Sequence, residues 1–256
     1  MSTRNPARSA RANELELYLT QSHAKKKHVA LVNLLLFQLW TFSWSNPTVD
    51  VWEELQDLEV ETEDGKVTGP ELKAALREFL LERQQERCCY CRRWLVNTAY
   101  AKPIEHILPR TDFPNFSLHF WNLSVACVVC NLAKSATVWA AIPKGRRFYP
   151  TSEAFAGAFH PRFHEYDAHV SFVRLETNAR SVVMFKGRTT EGRKLCRDLL
   201  YKVAGREMLY SNSPELAKAM LTLQGEGSLI ASPMKASVDD FLRLLDARAS
   251  DIAGLE

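Results

Sequence analysis

Two cysteine pairs constrain this chain more than any other feature. Cys88-Cys89-Tyr90-Cys91 is separated from Cys127-Val128-Val129-Cys130 by 35 residues. Two residues between thiols let one tight turn present both sulfurs to a single ion, and four thiolates complete a tetrahedral shell. The spacing therefore predicts Cys88, Cys91, Cys127 and Cys130 as ligands of a structural Zn²⁺. Such a site has no open position for water, so the ion would brace the segment between the pairs and do no chemistry itself. Buried free thiols or a redox C-x-x-C are the alternative readings. Cys89 is out of register with the pairs and, like Cys196, is expected to be a packed thiol.

The braced segment holds Ile104-Glu105-His106-Ile107-Leu108-Pro109-Arg110 and then Trp121-Asn122-Leu123, and Asn131 directly follows the last cysteine. Phosphodiester hydrolysis needs a base to activate water, a divalent cation to neutralise charge, and a group that orients the base. His106 suits the first task. A lone histidine in a strand is more often structural, and it is the neighbours that favour catalysis. Glu105 and His106 point to opposite faces of an ideal strand, so a local distortion is expected if both address one site.

Glu105-His106-Ile107 with Pro109, then Asn122-Leu123, then Cys127-x-x-Cys130-Asn131 and Lys134 together resemble the motif of the HNH (ββα-metal) endonuclease family. The resemblance covers about 50 of 256 residues. It implies His106 as general base, Asn122 as the residue that orients it, and Glu105 and Asn131 as ligands of a catalytic Mg²⁺ or Mn²⁺. Two positions depart from the commoner pattern: Glu rather than Asp at 105, and Asn rather than His at 131. Glu105 keeps a carboxylate on a longer arm, and Asn131 offers an oxygen in place of a ring nitrogen, which favours a hard cation.

A looser resemblance extends further. Phe159-His160-Pro161-Arg162-Phe163-His164-Glu165-Tyr166-Asp167-Ala168-His169-Val170, followed by Gly187-Arg188-Thr189-Thr190-Glu191-Gly192, is similar to the HNH subunit of Septu-type and retron-associated anti-phage systems. That resemblance implies an SMC/ABC-like ATPase as partner. The expected function is thus a zinc-stabilised, Mg²⁺- or Mn²⁺-dependent endonuclease acting on nucleic acid, DNA favoured over RNA, as a defence effector. The rival readings are a non-catalytic zinc-stabilised nucleic-acid-binding module and a stand-alone restriction-type HNH endonuclease.

Formal charge is only +3, so the whole chain is no generic polyanion binder and the distribution of charge matters more. Residues 1–28 carry Arg4, Arg8, Arg11, Lys25, Lys26 and Lys27, whereas residues 50–64 carry eight acidic residues and no base. That run is read as a solvated face or a docking surface for the ATPase. Lys134, three residues after Asn131 on the expected helix, shares its face and is a candidate phosphate contact, as are Arg110, Lys144, Arg146 and Arg147. His160, His164 and His169 are kept out of the catalytic set, because Pro161 and the strand-like pattern after Asp167 oppose a ligand-bearing helix. His160 or Arg162 is expected to border the cleft.

The expected fold is α+β, mainly α, in three segments: an N-terminal helical region 1–87, the ββα core 88–140, and a C-terminal hairpin and helical region 141–256. Helices are expected at Asn13–Leu19, 24–44, Asp50–Leu58, Glu71–Arg87, Asn131–Ala140, Thr189–Val203, Pro214–Leu223 and Val238–Arg248. Strands are expected at Trp94–Val96 and Pro103–His106, with a hairpin over His169–Glu176 and Ser181–Lys186. Val29–Trp44 is the most apolar run, yet it is too short and too polar to span a bilayer. It is read as a buried helix. With no apolar leader in the first 28 residues, a cytoplasmic protein without a membrane role is expected.

Overall fold

The computed structural model describes residues 29–62, 65–96, 102–176, 178 and 181–213, and the positions 14, 16–18, 215, 240, 243 and 244. These residues form a mixed α+β structure, about half helical, with three two-stranded antiparallel sheets. The basic arm before Glu14 and most of the two C-terminal helices expected from the sequence lie outside the described residues. The chain divides into two compact units: residues 1–131 with 135–154, and residues 132–134 with 155–256.

In the first unit, α1 spans Val29–Ser45 and α2 spans Val51–Asp57, the latter capped by the Asp50 carboxylate accepting from Trp52 N–H. A hairpin follows, β1 (Glu59–Thr62) and β2 (Gly65–Thr68), with Gly65 at φ 117 where a side chain would be strained. Val67 is its inward anchor, packed with Leu55 and Leu72.

Helix α3 spans Gly69–Arg83 and opens with a capping box between Thr68 and Glu71, with Pro70 in its first turn. Gly69 is required there by close approach: a Cβ would lie 1.5 Å from the Leu55 carbonyl oxygen. The helix buries Leu72, Leu76, Phe79 and Leu80, and Phe79 meets Tyr18 and Phe120 at ring separations of 5.3 and 6.2 Å.

Strands β3 (Ile104–His106) and β4 (Leu123–Val125) pair antiparallel, with His106 opposite Leu123, and α4 (Val128–Lys134) follows directly. Three expectations are corrected here. The expected Trp94–Val96 strand reduces to a single bridge between Arg87 and Trp94, since this stretch spends its backbone bonds closing the turn around the first cysteine pair. The helix expected at Asn131–Ala140 instead starts at Val128, because the Cys127 sulfur caps it, and stops before Ser135, which sits at φ 49. Ser135 is therefore off the helix.

The third correction concerns α1, expected to be buried. Phe37, Trp40, Phe42 and Trp44 are 61, 42, 47 and 37% exposed, and Ser43 is the buried residue of this last stretch. A run apolar on every face cannot be placed by periodicity, so burial was inferred from hydrophobicity alone.

In the second unit, a short helix α5 (Tyr166–His169) leads into the hairpin β5 (Val170–Glu176) and β6 (Ser181–Gly187). Helix α6 (Thr190–Leu195), a π turn (Cys196–Leu200) and α7 (Tyr201–Asn212) then run on without a break, past the expected end at Val203. An Arg174–Glu207 ion pair ties α7 to β5. No helix among the described residues is long and apolar enough to cross a membrane.

Candidate metal centre and catalytic site

The four predicted cysteines converge. One sulfur from each of Cys88, Cys91, Cys127 and Cys130 lies within 4.8 Å of the others, and all four residues are buried. The Cys91 and Cys127 sulfurs are 3.8 Å apart. A tetrahedral ion with bonds of about 2.3 Å has edges of about 3.8 Å, so this edge matches a tetrathiolate zinc site and the others, all within 4.8 Å, lie close to it. Cys127 N–H donates to the Cys88 sulfur at 3.2 Å, and Cys130 N–H to the Cys127 sulfur at 3.4 Å. Burial pushes the Cys88 thiol up, but hydrogen bonds from Cys127, Cys130, Cys89 and Cys91 outweigh it and hold this thiol well below its ordinary value. The Cys130 thiol is pushed well up, first by its hydrogen bond to Cys127. Four sulfurs competing for little negative charge are a site that a dication would resolve. The cluster could hold a metal ion and is consistent with structural zinc. Cys89 and Cys196 are buried thiols outside it.

Gln84, just past α3, locks this centre to the sheet. Its amide nitrogen donates to the carbonyls of Arg87 (2.9 Å) and Val125 (2.8 Å), and its amide oxygen accepts from Val125 N–H (2.9 Å) and the Ser124 hydroxyl (2.8 Å). The side chain thus pairs with β4 as a short strand would. Sequence reasoning missed it, because a glutamine at a helix end carries no spacing signal.

On β3, Glu105 and His106 do take opposite sides. Glu105 is buried and accepts the Tyr90 hydroxyl proton at 3.2 Å. Burial first, and the Glu105 charge second, push the Tyr90 phenol well up, so it remains a neutral donor. The His106 ring lies edge-on to Trp52 at 4.8 Å, and its Nε2 meets the Ser117 carbonyl at 3.0 Å. A carbonyl can only accept, so Nε2 carries the proton and Nδ1 is the basic nitrogen.

Asn122 explains why Ser117 is in place. Its amide donates to the carbonyls of Leu108 and Phe116, both at 3.0 Å, and accepts from Leu108 N–H at 2.8 Å and the Tyr149 hydroxyl at 3.2 Å. These four bonds use the whole capacity of the amide. Asn122 therefore staples the loop at residues 108 and 116, next to the carbonyl that holds His106. It positions the histidine through the loop. Tyr90, Ser117 and Tyr149 were not foreseen: two act through side chains distant in sequence, and Ser117 through its backbone.

Asn131 lies one residue beyond Cys130, near the start of α4, half-buried. Its amide and the Glu105 carboxylate are oxygen donors of the kind a hard cation takes.

The candidate phosphate contacts differ in their access to a phosphate. Lys134 is 2% exposed, so its ammonium does not face open solvent. Arg110 pairs with Asp50 and, at 3.6 Å, with Glu53 of the acidic run. Lys144 pairs with Asp112 at 2.7 Å. Arg146 and Arg147 are exposed, and the Arg147 guanidinium lies over the Trp44 ring at 4.4 Å. In the second unit His160 is fully buried, its Nδ1 accepting from Arg162 N–H at 3.2 Å and its ring stacked on Phe163 at 3.9 Å. Among the described residues the four cysteines are the one metal-ligating group of this kind. Comparison with family models, with curated proteins and with solved structures finds no match to this chain.

Proposed function

We propose that the chain is a zinc-braced, Mg²⁺- or Mn²⁺-dependent endonuclease of the HNH type. The observation that carries the reading is the oriented imidazole: His106 held on the Ser117 carbonyl by a loop that Asn122 staples twice. A purely structural histidine needs no such two-layer support, whereas a general base does.

His106 would take a proton from water through Nδ1, and the Nε2–H bond to the Ser117 carbonyl would stabilise the imidazolium that forms. Glu105 and Asn131 would hold the catalytic cation, with the Tyr90 hydroxyl orienting the Glu105 carboxylate. Because Glu105 and His106 leave β3 on opposite sides, this reading requires β3 to twist on cation binding so that both reach one phosphate. When bound there, a divalent cation supplies charge neutralisation at the scissile phosphate and the leaving oxygen. Attack by water with loss of the 3′ oxygen leaves 5′ phosphates. The zinc cluster fixes the start of α4, and so Asn131, relative to β3 and β4. The rival reading, a module that binds nucleic acid only by basic surface, is disfavoured by the burial of Lys134 and the ion pairs of Arg110 and Lys144. An SMC/ABC-like ATPase partner and an anti-phage role, with DNA as the favoured substrate, rest on the resemblance of residues 159–192 alone.

The test is incubation with plasmid DNA and with RNA, with Mg²⁺ or Mn²⁺, with and without such an ATPase. Glu105→Gln and Asn131→Ala should raise the cation concentration needed for half-maximal rate. Full-rate cleavage without added divalent cation would sink the metal assignment. No cleavage of any substrate in any condition would favour the binding module.

A further inference from the structure

The last two turns of α1 present a ladder of rings to solvent. Phe37 and Trp40 have centroids 6.3 Å apart, Trp40 and Trp44 also 6.3 Å with planes 4° from parallel, and Trp44 and Phe148 6.1 Å. Phe148 is 65% exposed. Helical spacing explains the register, since positions 37, 40 and 44 lie on one face. Large rings are ordinarily buried, and a contiguous exposed apolar patch of this kind marks an interaction surface.

The chemistry of the ladder narrows what that surface binds. Helix α1 contains no charged residue. The charge comes from one end, where Arg147 covers Trp44 at 4.4 Å with Arg146 exposed beside it. Flat apolar faces edged by guanidinium groups match a ligand of flat faces strung on an anionic backbone. In a duplex the base faces are hidden, so only unpaired bases can stack on such rings. The ladder is also tied to the loop that orients His106. The Ser43 hydroxyl donates to the Asn115 carbonyl at 3.0 Å, and the Asn115 amide donates to the Arg146 carbonyl at 2.8 Å. Asn115 is two residues from Ser117.

We infer that the aromatic face of α1, with Arg147 and Arg146, is a stacking platform for single-stranded nucleic acid. Its use in feeding a substrate to His106 rests on the nuclease reading; the binding does not.

The test is fluorescence anisotropy with labelled oligo-dT and oligo-U of about 20 nucleotides, several site lengths for one binding face. A blunt hairpin duplex is the control, and no divalent cation is added. The oligonucleotides should bind about tenfold or more tighter than the duplex. Trp40→Ala/Trp44→Ala should lose about tenfold or more in that affinity, with zinc content and circular dichroism unchanged. Arg147→Gln should weaken binding and lower its salt dependence by about one ion. Equal affinity for duplex, or unchanged affinity in the double variant, overturns the proposal. If that unchanged affinity accompanies a dimer-to-monomer change in sedimentation, a second copy of the chain occupies the face. If the double variant loses binding while His106→Ala cuts as fast as the parent, the platform stands and the nuclease reading falls. The reverse pattern leaves the nuclease without this platform.

Discussion

The segment from Cys88 to Lys134 and the helix from Val29 to Ser45 are both rich in apolar and aromatic residues, yet they use them in opposite ways. In the first, Tyr90, Leu108, Leu123, Val125 and the four clustered cysteines are buried around two short strands, while Trp94 and Leu132 stand at its surface. In the second, the largest rings stand in solvent. A three-residue strand pair cannot hold a site alone. The first segment compensates with specific bonds: the sulfur cluster, the Gln84 clamp and the Asn122 staple. Among its described side chains the helix is held by the Ser43–Asn115 bond, by Leu36 and Leu39 against the Leu55 cluster, and by Trp44 against Arg147 and Phe148. Dense polar satisfaction marks the part that must be rigid, and exposed rings mark the part that awaits something.

The largest expected effect sharpens that contrast. Cys130→Ser should abolish metal binding and leave the protein insoluble or unfolded, because binding to such a cluster is coupled to folding. Trp40→Ala should leave thermal stability within about 0.5 kcal/mol of the parent, as for an exposed position. A soluble, folded, zinc-free Cys130→Ser protein would break the comparison at its root.

Asn122→Ala comes next. Removing an amide whose four bonds are all made inside the fold should cost about 3–5 kcal/mol in denaturant unfolding. Cleavage should fall further than the lost stability explains, because Ser117 and His106 lose their alignment. A variant of parental stability would mean that the loop is held by other contacts.

His119 gives a test in pH. Burial lowers its pKa from 6.5 to about 4. Between these values the unfolded chain takes up a proton that the folded one refuses, so stability should fall as pH drops from about 6.5 to 4 and be fully present above it. The depression corresponds to about 3 kcal/mol at the acid end. His119→Gln should flatten that limb in urea titrations at pH 4 and pH 7. An unchanged slope would place the acid sensitivity elsewhere.

Gln84→Ala should cost about 2 kcal/mol, through the lost bonds to Val125 and Ser124. It should also speed zinc release to a chelator, since the clamp joins the first cysteine turn to β4. Release at the parental rate would show the cluster to be independent of the clamp.

The cysteine cluster is legible in the sequence because metal ligation demands particular residue types at particular separations. The convergence of Cys88, Cys91, Cys127 and Cys130 is legible from spacing alone, whereas the strand distortion expected to bring Glu105 and His106 to one site is not found: the two keep the opposite sides of an ordinary strand. What stayed illegible acts through backbone or long-range partners. The Ser117 carbonyl would serve equally from any residue type, and Tyr90 and Tyr149 meet their partners only once the chain has folded. Lys134 shows the same limit from the other side: its helical spacing from Asn131 suggests a phosphate contact, and tertiary packing buries it. The α1 helix was misjudged because hydrophobicity is a one-way guide, and apolar residues that serve a ligand read like core residues.

The most direct test of the central claim is the cleavage rate of His106→Ala, with zinc content measured on the same preparation. The expected result is a parental zinc content, an unchanged fold and a rate lower by about 100-fold or more, the contribution of a positioned base. A His106→Ala protein that retains its zinc and cuts at the parental rate would contradict the account.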